Sequence, residues 1–207
     1  MMKHIAIAGN IGCGKSTLTE MLAKHYGWVA EFESVDNNPY LADFYKDMKR
    51  WSFHLQIHFL NSRFRQIQKV RSSETSIIQD RTIYEDAYIF AQNLYDSGYM
   101  DERDYKNYLS MFESMMKFVT PPDLLIYLRA GIPKLVGQIS KRGREYESQI
   151  KIKYLENLNK NYEKWIGSYQ AGKLLVIDVN DMDYVANPDD LYTIINRVER
   201  ELFGLYS

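Results

Sequence analysis

Five short apolar runs punctuate the chain, at His4–Ala8, Val29–Phe32, Ser76–Gln79, Asp123–Leu128 and Lys173–Ile177, and each is of strand type. Between them the apolar positions recur every three or four residues. Leu18, Met21, Leu22 and Tyr26 share one face of a helix over Lys15–Tyr26, while Trp51–Val70 and Glu102–Val119 read as two long helices beside the carboxyl edge of a sheet. Helix starts are marked by Pro133 after Gly131-Ile132, and by Asn187-Pro188-Asp189-Asp190, which offers a cap, a first-turn proline and first-turn acids. Strands alternating with helices predict an α/β fold, a five-stranded parallel sheet flanked by helices. No repeat, low-complexity tract or linker interrupts the pattern, so residues 1–207 read as one domain. Met111, Met115 and Met116 fall at helical spacing and read as core or helix–helix packing.

Charge narrows the partners. With 26 Lys and Arg against 27 Asp and Glu, the formal net charge is −1, and no positive field points to nucleic acid or an anionic membrane. Only four apolar residues separate His4 from Gly9, too few for a signal-peptide core, and no run approaches the ~20 residues of a membrane span. The one cysteine, Cys13, excludes a disulfide framework. The expectation is a cytoplasmic protein without membrane or nucleic-acid partners. His54 and His58 stand four apart, but without the glutamate of H-E-x-x-H or an evident third ligand they do not read as a zinc site.

The chemistry enters with Gly9-Asn10-Ile11-Gly12-Cys13-Gly14-Lys15-Ser16, followed by Thr17, which fits G-x-x-x-x-G-K-[ST] between a strand and a helix. Glycines let the backbone wrap a phosphate with successive N–H groups, and the helix that follows adds its positive end. Lys15 is expected to reach the β- and γ-phosphates of ATP, and the Ser16 hydroxyl to ligate Mg²⁺.

Three further segments bear on the acceptor. Glu31-Phe32-Glu33-Ser34 ends the second strand, and no Lys or Arg occurs from His25 through Tyr45. A monophosphate acceptor needs cations there, whereas an alcohol needs a base, which favours Glu33 as a general base. Asp80-Arg81 ends the third strand, where Asp80 can hold Mg²⁺ and Arg81 can stabilise a phosphoryl group in transfer. Lys141-Arg142-Gly143-Arg144 is a basic turn that suits a lid closing over phosphates. No Asn-Lys-x-Asp motif for guanine nucleotides is present.

Over nearly its whole length the chain resembles the deoxyribonucleoside kinase family, in its bacterial deoxyadenosine/deoxyguanosine branch. Gly9–Thr17 resembles the family's phosphate loop and Glu33-Ser34-Val35 its Glu-Pro-Val, with Ser34 in place of proline. Arg50-Trp51-Ser52-Phe53 with Gln56 and Arg63 resembles the helix that reads the base. Asp80-Arg81-Thr82 with Asp86 resembles the acid-Arg-Ser segment and its downstream aspartate, and Arg142-Gly143-Arg144 with Glu147 the lid. Gln138 stands where some relatives stack an arginine on the donor's adenine, and Val179–Tyr184 lacks their Asp-Phe pair.

The resemblance implies a phosphate-loop kinase fold with a short Arg-rich lid, using ATP and Mg²⁺ to phosphorylate the 5′-hydroxyl of a small-molecule deoxynucleoside in salvage. Glu33, Arg81, Lys15, Arg142 and Arg144 are the implied catalytic residues, Ser16 and Asp80 the metal ligands, and Gly9 through Thr17 the donor site. Glu33, Tyr45, Trp51, Gln56, Arg63, Arg81, Asp86 and Glu147 are the implied acceptor site. Gln56 and Arg63 lie two helical turns apart and share a face. A paired Arg63 and Asp86 would present an acceptor that suits the amino group of adenine or cytosine, while a freed Arg63 would serve guanine's O6. Deoxyadenosine is the favoured acceptor, with deoxyguanosine or deoxycytidine, or a thymidylate-type monophosphate kinase, as alternatives. A homodimer through long helices such as Glu102–Val119 is also implied.

Overall fold

The computed structural model describes residues 2–32, 38–144, 147 and 150–204. Five strands, β1 (His4–Gly9), β2 (Val29–Glu31), β3 (Ile77–Asp80), β4 (Leu124–Arg129) and β5 (Lys173–Asp178), form one parallel sheet in the order β2-β3-β1-β4-β5. The register sets Ile7 beside Asp80 on one side and beside Ile126 on the other.

Because successive side chains of a strand point to opposite faces, β1 feeds two cores. Ile5 and Ile7 pack with Leu18 and Leu22 of α1 (Lys15–Tyr26), Leu135 of α7 (Ile132–Arg142) and Ile194 of α9 (Pro188–Phe203). Ala6 and Ala8 face the other cluster, with Leu55 and Leu60 of α3 (Met48–Ser72), Tyr108 and Phe112 of α6 (Glu102–Met116) and Tyr162 of α8 (Ile152–Gly167). The small residues on this second face let the buried Tyr162 approach the strand.

The short helices are α2 (Leu41–Lys46), α4 (Ile83–Glu85) and α5 (Gln92–Asp96), with a π-helical stretch, Asp86–Ala91, joining the last two. Such widened turns recur at functional sites. No described helix is long and apolar enough to cross a membrane.

The observed boundaries follow local chemistry. Helix α3 starts three residues before Trp51 because the Asp47 side chain caps the Arg50 N–H at 3.1 Å. Helix α6 stops at Met116, and the last turn tightens, with Phe118 and Val119 bonding to carbonyls three residues back. The methionine stripe of α6 meets the expectation of packing at Met115 and Met116, which lie against the core, and departs from it at Met111. Met111 is exposed and Met115 and Met116 are partly buried, while Tyr108 and Phe112 supply the buried face. His54 and His58 both lie against the Tyr40 ring, 5.9 Å between centroids in each case.

Candidate active site

From β1 the chain passes through α1 to β2 on one side, returns to β3, and then crosses β1 to reach β4. That reversal opens a crevice beyond the carboxyl ends of β1 and β3, the usual ligand position in an open α/β sheet. A cavity of about 290 Å³ fills it, and its lining brings Ile11, Gly12, Lys15, Ser16, Asp80 and Arg81 together with Tyr45, Gln56, Phe59, Asp86 and Phe90. Arg142, Arg144 and Glu147 also line it.

The phosphate loop takes its shape from glycines in left-handed backbone. Gly12 has φ 85° and Gly14 φ 95°, and a Cβ on Gly14 would overlap the Tyr184 hydroxyl. Lys15 is buried and its Nζ donates to the Asn10 carbonyl at 3.0 Å. The Asn10 side chain ties the loop to α8, donating to the Leu155 carbonyl at 3.0 Å and Asn159 Oδ1 at 2.6 Å. Burial pushes the Cys13 thiol up against the opposing pull of Lys15, so it stays protonated as a small packing residue. Thr17 sits exposed on the first turn of α1.

Asp80 and Arg81 arrive together at the end of β3. Ser16 Oγ donates to Asp80 Oδ2, while the buried Oδ1 has no hydrogen-bond partner among the described residues. A hydroxyl beside a carboxylate with an open oxygen is a donor set that fits Mg²⁺. Arg81 has φ 70°, a strained conformation for a side chain of its size. Its surroundings fix it there. The Arg81 N–H bonds the Ile7 carbonyl at 2.9 Å, Nη1 donates to the Tyr162 hydroxyl at 3.1 Å and lies 3.6 Å from Glu85, and the guanidinium stands 4.5 Å from the Phe90 ring centre.

Glu85 is fully buried and joins the phosphate loop to this segment. It accepts from the Gly9 N–H at 3.2 Å, the Thr82 N–H at 2.7 Å and the Tyr162 hydroxyl at 2.7 Å. Burial first, and the Glu85 charge second, push the Tyr162 phenol well above its usual range. The spacing Thr82-x-x-Glu85 is a capping box, so the cap was detectable in sequence, but its reach to Gly9 is tertiary. Tyr162, Asn159 and Tyr184 carry no local signal of their roles.

Gln56 is buried and lines the same cavity, and its Oε1 has no hydrogen-bond partner among the described residues. Arg63 Nε lies 3.3 Å from Asp86 Oδ2, and both side chains are buried. Asp86 lines the cavity while Arg63 stands behind it. Trp51 lies outside the lining, packed against Tyr40 and His54 at 5.8 and 5.4 Å. Arg142 donates to Glu147 twice, at 3.0 and 2.5 Å, and Arg144 lies 3.6 Å from it. Gln138 is exposed on α7. Glu33 and its neighbours Ser34 and Val35 lie outside the described residues.

Residues 5–203 match the deoxynucleoside kinase family. A Bacillus subtilis (strain 168) deoxyadenosine/deoxycytidine kinase is 42% identical over 198 residues, spanning 94% of this chain and 90% of its own length. A Dictyostelium discoideum deoxyadenosine kinase is 41% identical over 93% of this chain and 77% of its own. Among solved structures, M. mycoides deoxyadenosine kinase with dCMP and dCDP superposes with a TM-score of 0.85 at 34% identity, covering 95% of this chain and 98% of that one. The same kinase has also been solved with bound dATP, with a TM-score of 0.84.

Proposed function

This chain belongs to the deoxynucleoside kinase family, and on that footing we propose that it transfers the γ-phosphoryl group of ATP to the 5′-hydroxyl of a deoxyribonucleoside, deoxyadenosine before others, within one kinase domain. The observation that carries this reading is a single cavity whose lining joins groups suited to phosphate, Lys15, Ser16 and Arg81, with groups suited to a base edge, Gln56 and Asp86.

Each residue has a task that its position supports. Glu33, which follows β2 in sequence, takes the proton of the 5′-hydroxyl as that oxygen bonds to the γ-phosphorus and the bond to the β–γ bridging oxygen breaks. Arg81, held in one orientation by Tyr162 and Phe90, aligns Glu33 and the hydroxyl. Lys15, Arg142 and Arg144 neutralise charge on the phosphoryl oxygens, and the two lid arginines loosen from Glu147 to do so. Ser16 and Asp80 would hold Mg²⁺, which would supply positive charge to the donor's phosphates.

The groups suited to a base edge select the acceptor. Asp86 offers a carboxylate to an exocyclic amino group, and Gln56 pairs with the base edge. The aromatic wall falls to Phe59 and Phe90, which line the cavity, rather than to Trp51. Tyr45 and Glu147 are assigned to the sugar's 3′-hydroxyl. The exposed Met111 and Phe118, in α6 and just beyond it, support a second copy of the chain as a partner.

The acceptor atom is tested with 2′,5′-dideoxyadenosine, which lacks only the 5′-hydroxyl. It should compete with deoxyadenosine and yield no phosphorylated product, and a phosphorylated 2′,5′-dideoxyadenosine would place the transfer elsewhere.

A further inference from the structure

Arg63 and Asp86 do not stand alone beside the cavity. Arg63 Nη1 donates to Gln66 Oε1 at 2.8 Å and to the Asp80 carbonyl at 3.1 Å. Gln66 Oε1 accepts a second bond, from Gln79 Nε2 at 3.1 Å, and Gln79 Oε1 lies 2.9 Å from His4 Nε2. Gln66 Nε2 donates to the Phe32 carbonyl at 3.3 Å, one residue past β2. Gln66 and Gln79 are both buried.

The polarity of this chain has only one solution. A guanidinium carries donors alone, so Gln66 must present its oxygen to Arg63. Gln79 must then present its amide nitrogen to that oxygen and its own oxygen to His4, which donates from Nε2. Neither amide can flip without setting like groups against each other inside the core, where an unmade hydrogen bond is costly. The row of fixed amides ends on Arg63, whose Nε lies 3.3 Å from Asp86 Oδ2.

We propose that Gln66 is a positioning residue for base selection, which keeps the Arg63 guanidinium turned to Asp86 so that Asp86 presents its carboxylate to an amino-bearing base. The inference rests on the reading above in which Asp86 and Arg63 select the base, and it adds the residue that fixes their arrangement. Without the Gln66 acceptor, Arg63 loses a charge-assisted bond on the side away from the cavity and turns its donors towards the substrate, where they suit guanine's O6. Gln66 touches no substrate, so its effect appears in the ratio of two acceptors and not in the chemical step.

The test compares kcat/KM for deoxyadenosine and deoxyguanosine in the wild type, Gln66→Met, Gln66→Glu and Asp86→Asn. Gln66→Met keeps length and removes the acceptor. It should lower the deoxyadenosine-to-deoxyguanosine ratio roughly ten-fold, as loss of a bond to a charged group implies, through the nucleoside KM and with the KM for ATP unchanged. Gln66→Glu keeps an oxygen for both Arg63 and Gln79, gives up the bond to the Phe32 carbonyl, and should hold the ratio near the wild-type value. If Asp86→Asn moves the ratio but Gln66→Met does not, or if Met and Glu move it alike, the role of Gln66 is overturned while the base reading stands. If Asp86→Asn leaves the ratio unmoved, the base reading fails and the role of Gln66 with it. Should Gln66→Met not fold, Gln66→Leu takes its place. It removes the same acceptor and should move the ratio in the same direction, and an unmoved ratio overturns the proposal.

Discussion

The hydroxyl of Tyr162 lies 2.8 Å from the carbonyl oxygen of Gly9, so α8 grips β1 at the residue where the phosphate loop departs. The Tyr162 hydroxyl oxygen also stands 2.7 Å from Glu85 Oε1 and accepts from Arg81 Nη1 at 3.1 Å. One phenol thus joins the loop, a buried acid and the strained arginine. Tyr162→Phe keeps the ring and leaves these groups short of a partner, which costs about 1–3 kcal/mol. Urea denaturation should register that loss. Steady-state kinetics should show a higher KM for ATP together with a lower kcat, and wild-type values in both experiments would contradict the role.

Glu33→Gln removes the proposed base while preserving size. Its kcat should fall by ~10²–10⁴, with deoxyadenosine binding by calorimetry unchanged. A variant with near wild-type kcat would show that another group takes the proton.

Much of this was readable from residue order because its signals are local. The phosphate loop, the strand end Asp80-Arg81 and the lid turn are contiguous, and the five strands announce themselves as apolar runs between polar or glycine-rich breaks. Helix α9 begins where Asn187 and Pro188 say it should, the Asn187 side chain accepting from the Asp189 N–H at 3.2 Å. What sequence did not give is tertiary. Glu85 looks like a cap and is also a ligand of Gly9 across 76 positions. Tyr162 is one tyrosine among 17 until the fold brings it to Arg81. Trp51 carries a family-like position on α3, yet the cavity lining includes Phe59 and Phe90 and not Trp51. The exposed Met111 shows the limit of helical spacing, which gives a face but not what covers it.

Gly14 is doubly constrained. At φ 95° any Cβ is strained by about 1–2 kcal/mol, and the same atom overlaps the Tyr184 hydroxyl, which bonds the Gly14 carbonyl at 3.0 Å. Gly14→Ala should abolish measurable ATP binding in a calorimetric titration. Adding Tyr184→Ala relieves the overlap but not the backbone strain, so the double variant should recover only part of it. Full recovery would assign the whole defect to Tyr184.

His4 gives the fold a dependence on pH. Burial lowers its pKa, against the opposing bond to Gln79 and the charge of Asp123. The unfolded chain therefore binds the proton more readily than the folded one, and stability falls as pH drops below the ordinary histidine value of about 6.5. His4→Gln retains a donor for Gln79 Oε1 and cannot titrate. Thermal midpoints between pH 7.5 and 5 should fall less steeply in that variant than in the wild type, and parallel slopes would remove His4 from the account.

The measurement that bears most directly on the proposed activity is phosphoryl transfer from ATP–Mg²⁺ to a panel of deoxyadenosine, deoxyguanosine, deoxycytidine, thymidine and dTMP. With Asp86 paired to Arg63 and the open Gln56 amide in the cavity, deoxyadenosine should turn over well above the rest. Turnover of dTMP alone would contradict the assignment of Glu33 as a base for an alcohol, and would make the acceptor a monophosphate.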